Sequence, residues 1–178
     1  MGSSAVTSTP HTMTRVDVFT GVPYDEFRAA FEQAAPAFDP APFQRIAHSG
    51  GSWAEVEAAA AVMAPHQLMR YAHIDAAPLF ALAGHRAKVI EYLLGNHVIA
   101  ETMFRHDPHA MLYAPLRVLV YSDADDNAVW SMDRPSDAFG SLDHHDITEV
   151  GYGLDAKVAA LLRVIGVDAD AVFARQSA

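Results

Sequence analysis

The chain has 178 residues, 51% of them hydrophobic, which is the size of one ordinary domain with ample material for a core. It contains no cysteine, so disulfides, zinc-thiolate sites, iron–sulfur clusters and a cysteine nucleophile are excluded, leaving histidine and carboxylate as metal ligands. Twelve basic against 22 acidic side chains give a formal charge of −10, which repels a phosphate backbone and makes nucleic acid a poor partner.

Met1 to Thr14 carries Ser, Thr and Pro where a secretory signal needs an apolar core, and reads as a flexible leader ahead of a single domain over 15–178. No later window approaches a membrane-spanning apolar run, so the expectation is a soluble, cytoplasmic protein with no membrane partner. Arg15 to Thr20 alternates Val and Phe with polar neighbours, as a half-buried strand does, and Gly21 ends it. From Pro23 to Ala35, Tyr24, Phe27 and Phe31 recur at helical spacing, predicting an amphipathic helix that stops near Pro36. The stretch through Pro40 and Pro42 to Gly51 reads as a loop.

Ser52 followed by Glu55 is a capping box, and the alanine-rich run to Met63 continues it as a helix. Leu68 to Asp75 reads as a strand whose period of two places Met69, Tyr71, His73 and Asp75 on one face. Pro78 to Ala83 is a short helix, Lys88 to Leu94 a strand closed by Gly95-Asn96, and His97 to Arg105 a further helix. Leu116 to Tyr121 is apolar on both faces except for Arg117, as in a strand covered on both sides or at an interface. Asp123 to Asn127 turns the chain into a hairpin strand, Ala128 to Asp133. The longest helix, Asp146 to Ile165, carries a buried stripe of Val150, Leu154, Val158, Leu161 and Ile165. This order of elements favours an α+β two-layer sandwich, a mainly antiparallel sheet with helices packed on it.

Gly95 to Ser136 and Gly153 to Leu162 resemble the bacterial family known as domain of unknown function 302, over roughly Ser52 to Gly166. The most telling parts are the Gly95-Asn96 turn opening a helix, Arg105-His106-Asp107, Tyr113-Ala114-Pro115-Leu116-Arg117-Val118, and Asp133-Arg134-Pro135-Ser136. The resemblance implies a compact, dimeric α+β domain and supplies neither substrate nor mechanism. Two departures stand out: His97 occupies the place after Gly-Asn where the family carries proline, and Asp75-Ala76-Ala77 replaces an Asp-His-Gly triplet.

Ten histidines are many for this length, although His11, His48, His66, His144 and His145 fall in stretches that read as loops or leader. His73 and Asp75 form a candidate catalytic pair, a carboxylate orienting an imidazole as general base, in a small-molecule pocket with Tyr71, Asn96 and Tyr113. Arg117 and Arg134 join Asn96 and Tyr113 as candidate ligand-binding groups. The competing reading is a histidine packed against the sheet and an arginine paired with a carboxylate in a proline-fixed turn. A metal or haem reading rests on His97, Glu101, His106 and His109; its rival is a solvated helix face with an ion pair between Glu101 and Arg105. Gly151-Tyr152-Gly153-Leu154-Asp155-Ala156 matches a dinucleotide fingerprint in spacing only, since it lies inside the last helix, so no nucleotide cofactor is expected. The doubly apolar strand, with Trp130 and Met132 on its hairpin partner, is more apolar surface than a one-sided sheet needs and predicts a homodimer, with a non-catalytic dimeric structural module as a third functional reading. The rival is cover by the N-terminal segment or by the helix from Ser52 to Met63.

Overall fold

In the computed structural model, which describes residues 5–175, five strands form one sheet. They are β1 (Arg15–Pro23), β2 (Met69–Asp75), β3 (Val89–Gly95), β4 (Leu116–Ser122) and β5 (Asn127–Asp133), in the order β1-β5-β4-β3-β2, and every neighbouring pair is antiparallel. The helices are α1 (Tyr24–Ala34), α2 (Pro40–His48), α3 (Trp53–Met63), α4 (Ala77–Leu82), α5 (His97–Phe104), α6 (Pro135–Gly140), α7 (His145–Val164) and α8 (Asp170–Phe173), with a 3-10 turn at Pro108–Leu112. This is the expected two-layer α+β sandwich.

The register explains where the core sits. Val18 pairs with Trp130, Trp130 with Val120 and Val120 with Ile90, while Met132, Val118 and Tyr92 form the next row, all on one face. Phe27 and Phe31 of α1, Leu154, Val158, Leu161 and Leu162 of α7, and Phe173 of α8 cover these rows. Trp130 is fully buried with the Phe173 ring edge-on at 6.0 Å, so this protein's own helices account for the apolar hairpin strand. On the opposite sheet face Phe19 is 74% exposed and Leu93, Leu119 and Tyr121 are half-buried.

Three local features differ from the sequence reading. The proline-rich stretch is a helix: Asp39 accepts the Ala41 N–H at 2.9 Å as N-cap, and Pro40 occupies the first position, where a missing N–H costs nothing. The Asp133–Ser136 turn continues as α6, which lies so close to α7 that a Cβ on Gly151 would come within 3.0 Å of the Ser136 backbone. Gly151 is thus a packing glycine, and one turn later buried Asp155 accepts the Ser136 N–H at 3.0 Å. Finally, β2 carries a bulge: Arg70 pairs with Leu94 and Ala72 with Leu93, leaving Tyr71 as the extra residue.

Of the expected leader, residues 1–4 lie outside the described residues. At its other end Thr14 is tied to the domain, its N–H to Asp137 and its carbonyl to the Arg134 N–H, both at 2.8 Å.

Candidate functional site

The bulge decides the site. An uninterrupted strand would keep Tyr71 in step with His73 and Asp75; the extra residue separates them. His73 and Asp75 stay on the helix side, paired with Tyr92 and Ile90, but Asp75 accepts from Arg28 at 3.1 Å and from the Ala77 N–H at 3.2 Å. His73 is exposed, with its ring 6.5 Å from that of Tyr92, and no hydrogen bond joins it to Asp75 among the described residues. The carboxylate that was to orient the imidazole is occupied by an arginine instead.

Tyr71 instead reaches the start of α5 and bonds His97 Nδ1 at 2.9 Å. Asn96 positions this helix: its side-chain oxygen accepts the Val98 N–H at 2.9 Å as N-cap, and its amide donates to the Gln67 carbonyl at 2.9 Å. His97 is the first helical residue, one whose backbone N–H has no partner inside the helix. Burial pushes the Tyr71 phenol well above its ordinary value, against the opposing pull of the His97 N–H. Burial likewise holds His97 below the ordinary 6.5. Both groups are therefore neutral at pH 7, and the tautomer of His97 sets which of the two donates across the Tyr71–Nδ1 bond. The imidazole is framed by Phe38 and Phe43, each edge-on at 5.0 and 4.9 Å, with Phe38 also against Tyr71 at 4.8 Å.

This pair lies at the wall of a cavity of about 260 Å³ between α5, the sheet and α7. Its other walls are apolar: Leu94, Ile99, Ala100, Met103, Met111, Pro115, Leu116, Phe139 and Leu154. Tyr71, His97 and the Asn96 turn are the polar groups facing it. A groove of about 670 Å³ adjoins it across Met111, Ala114, Pro115 and Leu116, and holds Tyr113, Arg117 and His11. The expected pocket thus divides, with Tyr71 and Asn96 in the cavity, Tyr113 and Arg117 in the groove, and His73 and Asp75 in neither. Tyr113 contacts His11 Nε2 at 3.2 Å. Arg134 is buried, with its guanidinium on the Val172 carbonyl of α8, so it holds the C-terminal segment.

The expected metal set disperses. His97 is committed to Tyr71, Glu101 pairs with Arg105 as its rival reading has it, and His109 Nδ1 meets Asp107 at 2.8 Å with its side chain 80% exposed. Among the described residues, His106 alone of these four joins a cluster, with His144 and Asp146, whose ligand atoms all lie within 4.8 Å of one another. His144 looked like a loop residue because sequence does not reveal that α7 begins beside the end of α5. Phe38 and Phe43 were missed for a similar reason, although the Asp39-Pro40 cap with Phe43 one turn on was a readable helix start.

Residues 48–165 match the family model described as domain of unknown function DUF302. A solved structure, that of an uncharacterized conserved protein DUF302 from Bacillus stearothermophilus, is similar with a TM-score of 0.58 at 13% identity, covering 86% of this chain and 97% of that one. At that identity the likeness concerns the fold. No curated protein matches the chain. Among the described residues, no helix is long and apolar enough to cross a membrane.

Proposed function

The chain belongs to the DUF302 family, whose function is unknown, so the reading must come from its own site: we propose that it binds a small, largely apolar molecule bearing one carbonyl or carboxylate oxygen. The observation that carries this is the apolar cavity of about 260 Å³ with a single oriented polar pair, Tyr71 and His97, in its wall. That volume lies just below the range of about 300–1,000 Å³ common for small-molecule pockets, so the ligand is fragment-sized. In the tautomer that this reading uses, Nδ1 accepts from Tyr71 and Nε2–H is the donor for the ligand oxygen. Acid–base chemistry on such a ligand would run through His97 and Tyr71 rather than His73 and Asp75, since these two do not line the cavity.

The test is ligand-observed NMR with short-chain and aromatic aldehydes, ketones and carboxylic acids. Ala100→Trp, which fills the cavity, is expected to abolish binding, and His97→Phe to weaken carbonyl probes about tenfold through the lost hydrogen bond. Undiminished binding by Ala100→Trp, or no probe bound by the wild type, would overturn the reading.

A second proposal concerns assembly, with a second copy on the open sheet face. Phe19 and Ile74 are 74% and 58% exposed at its two edges, and the same face carries Arg117, Glu91 and Asp17, charges that a twofold axis can set against each other. Sedimentation velocity at tens of micromolar is expected to give a dimer, and Phe19→Lys with Leu119→Lys a monomer. A wild-type monomer at that concentration rejects it.

A further inference from the structure

We infer that His106, His144 and Asp146 bind a divalent transition-metal ion of borderline softness, with zinc the natural probe, at a site separate from the apolar cavity. His106 follows α5, and its N–H bonds the Met103 carbonyl at 3.0 Å. His144 is the residue before α7 and Asp146 lies in that helix's first turn. Met103 of α5 and Ile147 of α7 are both buried in the core and α5 packs on α7, so the ligands arise from two elements held by the core.

The geometry fits coordination better than it fits hydrogen bonding. The rings of His106 and His144 lie 4.7 Å apart at 37°, and His106 Nε2 stands 3.7 Å from Asp146 Oδ2, too far for a hydrogen bond. His144 Nδ1 is buried without a hydrogen-bond partner among the described residues. A tetrahedral ion with bonds of about 2.0–2.1 Å sets its ligand atoms about 3.3 Å apart, so small rotamer changes close the set. Two imidazoles and a carboxylate suit zinc or ferrous iron rather than calcium or magnesium, which prefer all-oxygen shells. Three protein ligands leave a position for water or another donor. The positive end of α7 opposes a cation there, and the Asp146 carboxylate offsets it.

The test uses the full chain without an affinity tag. Titration with zinc, and with cobalt followed by its visible absorption, is expected to give one ion per chain. His144→Ala and Asp146→Asn should each weaken zinc at least about tenfold, the lower end of what loss of a group supporting a metal site costs. His97→Ala and His109→Ala should leave affinity unchanged, which separates this site from surface histidines and from the cavity. In the wild type, zinc should shift the imidazole NMR resonances of His106 and His144 selectively, a readout that needs no variant to fold. Absence of zinc or cobalt uptake, affinity insensitive to His144→Ala, or shifts centred on other histidines would each overturn the inference.

Discussion

Replacing Trp130 by alanine is expected to cost the domain about 3–5 kcal/mol, measured as a fall in urea midpoint at unchanged slope. Trp130 sits on β5, with β1 on one side and β4 on the other, and its cross-strand partners are Val18 and Val120. It is fully buried in the core between the sheet and the helices, against Phe173, so truncation opens a cavity that the surrounding elements cannot close. The indole Nε1 is itself buried without a partner among the described residues. Trp130→Phe therefore removes an unsatisfied donor along with some volume, and its expected cost is below about 1.5 kcal/mol. The same pair of variants bears on assembly. If Trp130 stabilises the core of one chain, its alanine variant shifts the midpoint equally at all protein concentrations. A shift that grows on dilution would instead make Trp130 part of an interface.

What was legible in the sequence follows from which interactions are local. Strand β4 was readable as an apolar run bounded by turns, and the α7 stripe because Leu154, Val158 and Leu161 declare a helical period that burial then honours. The capping box at Ser52 and Glu55 was readable because both partners lie within one turn. The site was not local in this sense. Tyr71 lost its alignment with His73 to one extra residue in β2, and nothing in the alternation of MRYAHID marks that bulge. His97 was noticed as an oddity after Gly95-Asn96, yet its partner Tyr71 lies 26 residues earlier, across the β2–β3 pairing. His106 meets His144 through packing of α5 on α7, a contact between elements that share no sequence signal.

The polar edge on which His73 and Asp75 lie makes the other strong prediction. Glu32 of α1 accepts the Tyr92 hydroxyl at 2.6 Å and Arg28 Nε at 3.0 Å, with Arg70 Nη1 at 3.8 Å; Arg28 then reaches Asp75. Glu32→Ala strands the buried Tyr92 hydroxyl and leaves two guanidiniums short of a carboxylate. Breaking a fully buried pair costs about 3–5 kcal/mol, and because the Glu32 side chain is 31% exposed we expect about 2–3 kcal/mol here. Glu32→Gln keeps an acceptor for Tyr92 and should lose about 1 kcal/mol. Burial alone would raise the Glu32 carboxyl, but Tyr92, Arg28 and Arg70 outweigh it and hold it below its ordinary 4.5. A carboxyl depressed by folding binds fewer protons in the folded chain than in the unfolded one, so its stabilisation is complete above pH 4.5 and disappears as pH falls through the folded value. The wild type should accordingly lose stability below that pH more steeply than Glu32→Gln, and parallel acid limbs would refute the account. Arg70 bonds the Glu32 and Ala35 carbonyls at 3.2 and 2.6 Å immediately before the bulge, so this clasp also sets where Tyr71 emerges from β2. Loosening it with Glu32→Ala should then weaken probe binding in the cavity although Glu32 does not line it. Unchanged probe affinity in a folded Glu32→Ala variant would show that the Tyr71–His97 pair holds its geometry without the clasp.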